Sequence, residues 1–354
     1  MRTVKECSVM AVKIYQVAAE AGVSVGTVSR VFNHYPDVSE ETRRRVLATA
    51  KHLGYVPNVA ARTLSSKSLA TVALILNEVA RGFEGTLAMH LMQGVNRYTQ
   101  KHGIEFVLYM TDAELQREKT FEQFCLERNI TGAIVHGLNV GDPFISQIQA
   151  SKIPVVCIEQ EILGANTASI GIDNRAAELE VTSDMLRQGR RNLVMINGWR
   201  TAAVSQQRQQ GFLEALAQAD RPILDYTVQF AGFDLDNAMA LTNRLIVQHP
   251  TIDGFICASD IMAVGVLKAL RQHGIAVPTQ VAVAGFDNTV VGRYMEPSLS
   301  TVEQHMEAMG GRAAKLMHDL IGHKLPQDYT KRNVFVPYEY IQRRSTDFGR
   351  DREG

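Results

Sequence analysis

Beyond residue 70 the chain repeats one pattern: a short, nearly uninterrupted apolar run, then an amphipathic stretch of helical spacing. The runs are Thr71–Leu76, Phe106–Met110, Gly132–His136, Val155–Ile158, Ser169–Ile172, Leu193–Ile196, Thr227–Phe230, Gly254–Ala258 and Val281–Ala284. Between them, helices are predicted over Thr86–His102, Gln116–Arg128, Arg175–Gln188, Ser205–Ala219, Asp236–Gln248 and Ile261–His273. Strands this apolar need cover on both faces, which parallel α/β sheets provide. Strand-helix alternation predicts doubly wound units, and so many strands predict two subdomains.

The first seventy residues read differently, as helices alone. Ile14, Val17, Ala18 and Ala21 share one face of a first helix. Gly22 can take the left-handed conformation that ends it, and Ser24 can cap a second helix over Val25–Asn33. A third opens at Ser39 and runs to Leu53, with Val46, Leu47, Ala50 and Leu53 expected inward and Gly54 as its stop. Helix, tight turn and helix is the geometry that seats a second helix in the major groove of DNA. Val25, Gly26, Thr27, Ser29 and Arg30 are left facing out, and an arginine there can offer two donors to guanine. From spacing alone, an ordinary helical hairpin stays open.

Charge supports the first reading. Residues 1–70 hold ten Lys/Arg against five Asp/Glu, a local +5 that a body of −5 cancels to net zero. A basic head on an acidic body suits a polyanion at one end. Apolar residues make up 45% and charged residues 21%, as in globular proteins, and no apolar run is long enough to span a bilayer. Cys7, Cys125, Cys157 and Cys257 form no C-x-x-C pair, so buried free thiols in a reducing cytoplasm are expected. The phosphate-binding glycine loops and H-E-x-x-H are absent. An enzyme is therefore not expected, nor a metal or cofactor. A sugar-binding transport protein would need an export signal and no DNA-binding head.

The segment Ile14–Asn33, continued by Val38–Arg43 and by Leu53-Gly54-Tyr55-Val56-Pro57-Asn58 through Leu64, resembles the LacI/GalR family of bacterial repressors. The resemblance extends from about Val12 to about Thr346. It implies a homodimer on a palindromic DNA operator, with Val25, Gly26 and Arg30 reading bases. Tyr15, Ser24, Thr27, Ser29 and Asn33 fall where the family contacts phosphates or supports the helix. Asn58 would cap a hinge helix, Asn58–Leu64, that also brings Ala61 to DNA. Leu64 would wedge into the minor groove and kink the central step. Two departures stand out. Gln16 replaces the usual Asp, and Gly26 is small where several relatives carry a longer side chain.

The resemblance also implies a periplasmic-binding-protein-like effector domain of two doubly wound subdomains behind an all-α helix-turn-helix head. The expected divisions are an extension over 1–11, the head over 12–57, hinge and linker over 58–69, the effector domain over 70–346 and a tail over 347–354. Lobe 1 would comprise about 70–171 and 302–334, and lobe 2 about 173–299 and 336–346. By position, Glu159, Arg208, Phe233, Ser259 and Asp287 would bind a small, carbohydrate-like effector; Phe83, in a loop that aligns poorly with the family, and Trp199, after the Leu193–Ile196 strand, are further candidates for the same cleft. On sequence alone, Asp287 can equally be a helix cap and Arg208 a surface ion-pairing residue.

Overall fold

The computed structural model describes residues 12–32, 35, 37–55, 71–77 and 85–347. They fall in two compact units, one within residues 1–70 and one within 71–354.

The first unit holds three helices, α1 (Ile14–Ala21), α2 (Val25–Phe32) and α3 (Glu40–Leu53). Gly22 ends α1 in the left-handed region at φ 63°. Ser24 Oγ accepts the Thr27 amide at 3.1 Å and so caps α2. Gln16 has a visible local role, since its Oε1 accepts the Lys13 amide at 2.7 Å and closes the first turn of α1. Val17, Ala18, Ala21, Val28, Val31, Val46 and Ala50 form the small core. Leu47 does not join it, contrary to expectation. It is 44% exposed, because the inward stripe of α3 runs through Val46 and Ala50 and the next position turns away by about 100°. Arg43 ties α3 to the chain after α2, donating to Val31 O at 3.2 Å and Tyr35 O at 2.8 Å.

The second unit begins with β1 (Thr71–Asn77), α4 (Gly85–Lys101), β2 (Glu105–Thr111), α5 (Ala113–Glu118), α6 (Phe121–Leu126), β3 (Gly132–His136), α7 (Pro143–Gln149), β4 (Val155–Ile158) and β5 (Thr167–Gly171). It continues through α8 (Asn174–Arg187), β6 (Leu193–Asn197), α9 (Ala203–Gln218), β7 (Val228–Phe230), α10 (Leu235–Gln248), β8 (Gly254–Cys257), α11 (Asp260–Gln272), β9 (Ala282–Ala284) and α12 (Val290–Tyr294). The last elements are β10 (Thr301–Glu303), α13 (Met306–Ile321), β11 (Asn333–Phe335) and β12 (Glu339–Ile341).

The predicted apolar runs become strands of two parallel sheets, ordered β11-β5-β4-β3-β1-β2 and β7-β6-β8-β9. In the first, Val72 stands opposite Gly132 and Val156 opposite Ala168. Antiparallel β10 and β12 form a separate pair. The chain passes from β5 into α8 and the second sheet, and β11 returns beside β5. The helix predicted over Gln116–Arg128 is instead two helices. Thr120 accepts the Gln123 amide and Gln123 Oε1 accepts the Thr120 amide, a reciprocal cap that starts α6 afresh. Helix α13 packs along α4 so closely that a Cβ on Gly94 would lie 1.9 Å from Glu307 O.

Cys125, Cys157 and Cys257 are buried free thiols. Among the described residues, no helix is long and apolar enough to cross a membrane.

Candidate functional site

Two surfaces gather the residues singled out by sequence. The first is the outer face of α2. Val28 and Val31 anchor the helix, leaving Val25 44% exposed with Gly26 and Arg30 also exposed, while Thr27 and Ser29 are half-buried. Gly26 is not imposed by packing. A Cβ there would meet only Ser24 Oγ, at 3.6 Å. Its smallness is thus a property of the surface, kept at a helix-propensity cost of about 1 kcal/mol. Arg30 Nη1 lies 3.0 Å from Asp37 Oδ2. Tyr15 is exposed on α1. Asn33, Asn58, Ala61 and Leu64, with the hinge and linker over 58–69, lie outside the described residues, as does Phe83.

The second is a cavity of about 260 Å³ at the carboxyl ends of strands from both sheets, where open α/β sheets bind ligands. Glu159, Arg208, Phe233, Ser259 and Asp287 all line it, as does Trp199. Each follows from local structure. Glu159 stands after β4 at φ 61°, and Ser259 after β8, where its Oγ caps α11. Asp287 follows β9 at φ 110°. It is not a helix cap, since Thr289 holds that position for α12. Phe233 and Trp199 meet edge to face with centroids 5.7 Å apart. Gly198 makes room for them, because a Cβ there would fall 2.1 Å from Phe233 Cζ.

Arg208 is 4% exposed, which removes the surface ion-pair reading. Its Nε donates to Asn174 Oδ1 at 2.9 Å and its Nη1 to Ala258 O at 2.6 Å, and its guanidinium lies 3.5 Å from the Phe286 ring centroid. Burial lowers its pKa, opposed by the charges of Asp287, Glu159 and Glu178 in that order. Asn174 also donates to Glu159 Oε2, and Glu159 Oε1 accepts the Ile172 amide at 3.1 Å. The carboxylate and the guanidinium are therefore held through one asparagine at the start of α8. Burial raises the pKa of Glu159 and also that of Glu178, the latter to about 8. Both Glu178 oxygens are buried without a hydrogen-bond partner, so its neutral form is favoured.

Asp260, one residue past Ser259, is fully buried and does not line the cavity. Its Oδ2 accepts from Thr289 N at 2.6 Å and Thr289 Oγ1 at 2.9 Å, and its Oδ1 from Thr301 Oγ1 at 2.6 Å. It thereby fixes the segment that carries Asp287, Thr289, Val290 and Val291 along the cavity wall. Beside the cavity, the loops after β3 and β6 join. Val140 N donates to Thr201 O at 2.7 Å, Thr201 Oγ1 to Asn139 Oδ1 at 3.1 Å, and Asn139 bridges Ala202.

Residues 13–58 match the pattern described as bacterial regulatory proteins, lacI family, and residues 182–346 match a periplasmic binding protein-like domain. The chain is 32% identical over 309 residues to the HTH-type transcriptional regulator CelR of Thermobifida fusca, covering 86% of this chain and 90% of that protein. It is 30% identical over 340 residues to the ribose operon repressor of Halalkalibacterium halodurans, covering 96% and 98%. The chain belongs to the lacI family. Like its family relatives, it is a transcriptional regulator rather than an enzyme. A solved complex of CelR with cellobiose superposes with TM-score 0.71 at 27% identity, over 94% of this chain and 99% of that one. A lac repressor dimer bound to operator and an anti-inducer shares the fold, with TM-score 0.83 at 20% identity over 95% and 99%.

For this lacI-family regulator, polar residues that motif matching did not single out also build the site: His136, Gln160 and Gln304 line the cavity, and Asn174 and Glu178 stand behind Arg208. Asn174 and Glu178 share α8, while the other three come from separate stretches and meet them only in the fold. The run ending at His136 carried a signal, a titratable residue closing an otherwise apolar strand.

Proposed function

We propose that this regulator is a ligand-responsive repressor that binds a palindromic operator as a homodimer. A small carbohydrate-like effector in the cavity between the two sheets switches its operator affinity. The observation that carries the reading is convergence. Five residues matched separately between Glu159 and Asp287 line one cavity, with a buried arginine, two carboxylates and an aromatic corner. Sugars present hydroxyl edges and apolar faces, which such a wall can meet. CelR has been solved with cellobiose, and another relative is named for ribose, which favours the same ligand class.

On the DNA side, α2 would enter the major groove. Val25, Gly26 and Arg30 would reach base edges, and Tyr15, Ser24, Thr27, Ser29 and Asn33 would contact phosphates or support the helix. Asn58, Ala61 and Leu64 would act at the operator centre. Two-fold symmetry of the dimer would match the inverted repeat. An effector that binds one arrangement of the lobes more tightly than another changes operator affinity by linkage.

The test is operator binding by fluorescence anisotropy. A site selected from random duplexes should be an inverted repeat, and the ligand that raises thermal stability should change its affinity. Arg208→Ala should abolish that change while the unliganded protein still binds. Selection of a site lacking two-fold symmetry, or a normal ligand response from Arg208→Ala, would sink the reading.

A further inference from the structure

Three buried polar atoms of residues lining the cavity have no hydrogen-bond partner, and each can accept one: His136 Nδ1, Gln160 Oε1 and Gln304 Oε1. The orientation of Gln304 is chemically determined. Its Nε2 donates to Asp287 Oδ1 at 2.6 Å, so its oxygen is what remains. His136 is buried and its pKa is lowered, which leaves a neutral ring. Nδ1 is its nitrogen without a partner, and the tautomer protonated at Nε2 makes it an acceptor.

Positive charge facing the same space is limited. Arg208 is the single Lys or Arg among the described lining residues. Two of its three nitrogens already serve Asn174 and Ala258, and two carboxylates, Glu159 and Asp287, share the wall with it.

We propose that the cavity selects an uncharged, hydroxyl-rich effector over its phosphorylated or carboxylated counterpart, with His136, Gln160 and Gln304 accepting hydrogen bonds from its hydroxyls. The inference rests on the cavity being the effector site. A hydroxyl carries the donor that each of these atoms lacks. A phosphate or carboxylate group offers acceptors where acceptors already crowd. It also brings negative charge beside Glu159 and Asp287, with one anchored guanidinium to answer all three. An unmatched buried acceptor is worth roughly tenfold in affinity, and an unpaired buried charge more. The apolar side chains of Ile261, Val264, Val290 and Met306 on the remaining wall suit the C–H face of such a molecule.

The test is a thermal-shift panel on the full-length protein. It uses neutral mono- and disaccharides and polyols, each paired with its phosphate ester, aldonate or uronate, with titration calorimetry on the pairs that respond. The tightest binder should be neutral, and its charged partner at least about a hundredfold weaker. His136→Leu should leave the Tm of the unliganded protein unchanged or raised, since it removes an unsatisfied buried atom, while weakening the neutral ligand about tenfold. A purely structural histidine would show the opposite split. A charged compound that outbinds its neutral partner, in a manner lost in Arg208→Ala, overturns the inference and leaves the effector site standing. Silence from both halves of the panel removes the effector site as read here, and the inference with it.

Discussion

Arg30 Nη1 sits 3.0 Å from Asp37 Oδ2, so the guanidinium on the outer face of α2 is already paired in the unliganded protein. Both side chains are more than half exposed, at 60% and 52%. Such pairs contribute about 0–1 kcal/mol, against about 1–3 kcal/mol for a bidentate contact with guanine. The base should win the competition, with Asp37 as a brake. Asp37→Asn is expected to tighten DNA binding a few-fold at low salt, and Arg30→Ala to weaken operator binding about ten- to a hundredfold with relaxed selectivity at one base. Anisotropy titrations against the selected site and single-base variants check both. An Arg30→Ala protein with unchanged selectivity would remove Arg30 from base readout.

Gly94→Ala tests the α4–α13 seam. The added Cβ would meet Glu307 O at 1.9 Å and Gly311 N at 2.7 Å, both backbone atoms, and Gly310 approaches Leu91 O in the same way. The helices must separate, at a cost of at least about 1–3 kcal/mol. Gly26→Ala is the contrast, because its Cβ has room and the helix gains up to about 1 kcal/mol. Urea unfolding should show the first variant destabilised and the second not.

Glu178 makes stability depend on pH. Its folded pKa of about 8 lies above the ordinary 4.5, because burial penalises the charged form and Arg208 only partly opposes this. The folded state therefore holds the proton more tightly than the unfolded chain. The penalty is absent below about pH 4.5, grows as pH rises, and is complete above about pH 8. Glu178→Gln keeps the shape and removes the titration. Relative to wild type, it should gain stability on the order of a few kcal/mol between pH 5 and pH 8.5. Parallel slopes for the two proteins across that window would show that Glu178 does not titrate there.

Asp260→Ala would strand three donors, those of Thr289 N, Thr289 Oγ1 and Thr301 Oγ1. A loss of at least about 2 kcal/mol is expected in thermal unfolding. The segment bearing Asp287 would lose its anchor, so effector affinity should fall more than tenfold even at temperatures where the protein is folded. Unaltered effector affinity in a folded Asp260→Ala protein would detach Asp260 from the site.

What could be read ahead of the structure followed the physics of each signal. Apolar runs such as Val155–Ile158 became strands because a doubly covered sheet admits little else. The break between α5 and α6 was written in Thr120-Phe121-Glu122-Gln123 as a reciprocal cap, yet helical periodicity across it hid the interruption. Helix α13 lay outside the predicted segments, although Met306, Met309, Ala313, Met317 and Leu320 repeat every three or four residues. At the cavity, residues within motifs were legible singly. The acceptor set was not, because His136, Gln160 and Gln304 lie on unrelated stretches and their lack of partners is a property of packing.

The bridge from Asn139 and Val140 to Thr201 and Ala202 bears on time rather than on affinity. On that side of the cavity a molecule passes only when those hydrogen bonds part, a barrier that makes no chemical distinction between ligands. A regulator built this way would average over brief fluctuations in effector supply and answer to the sustained level.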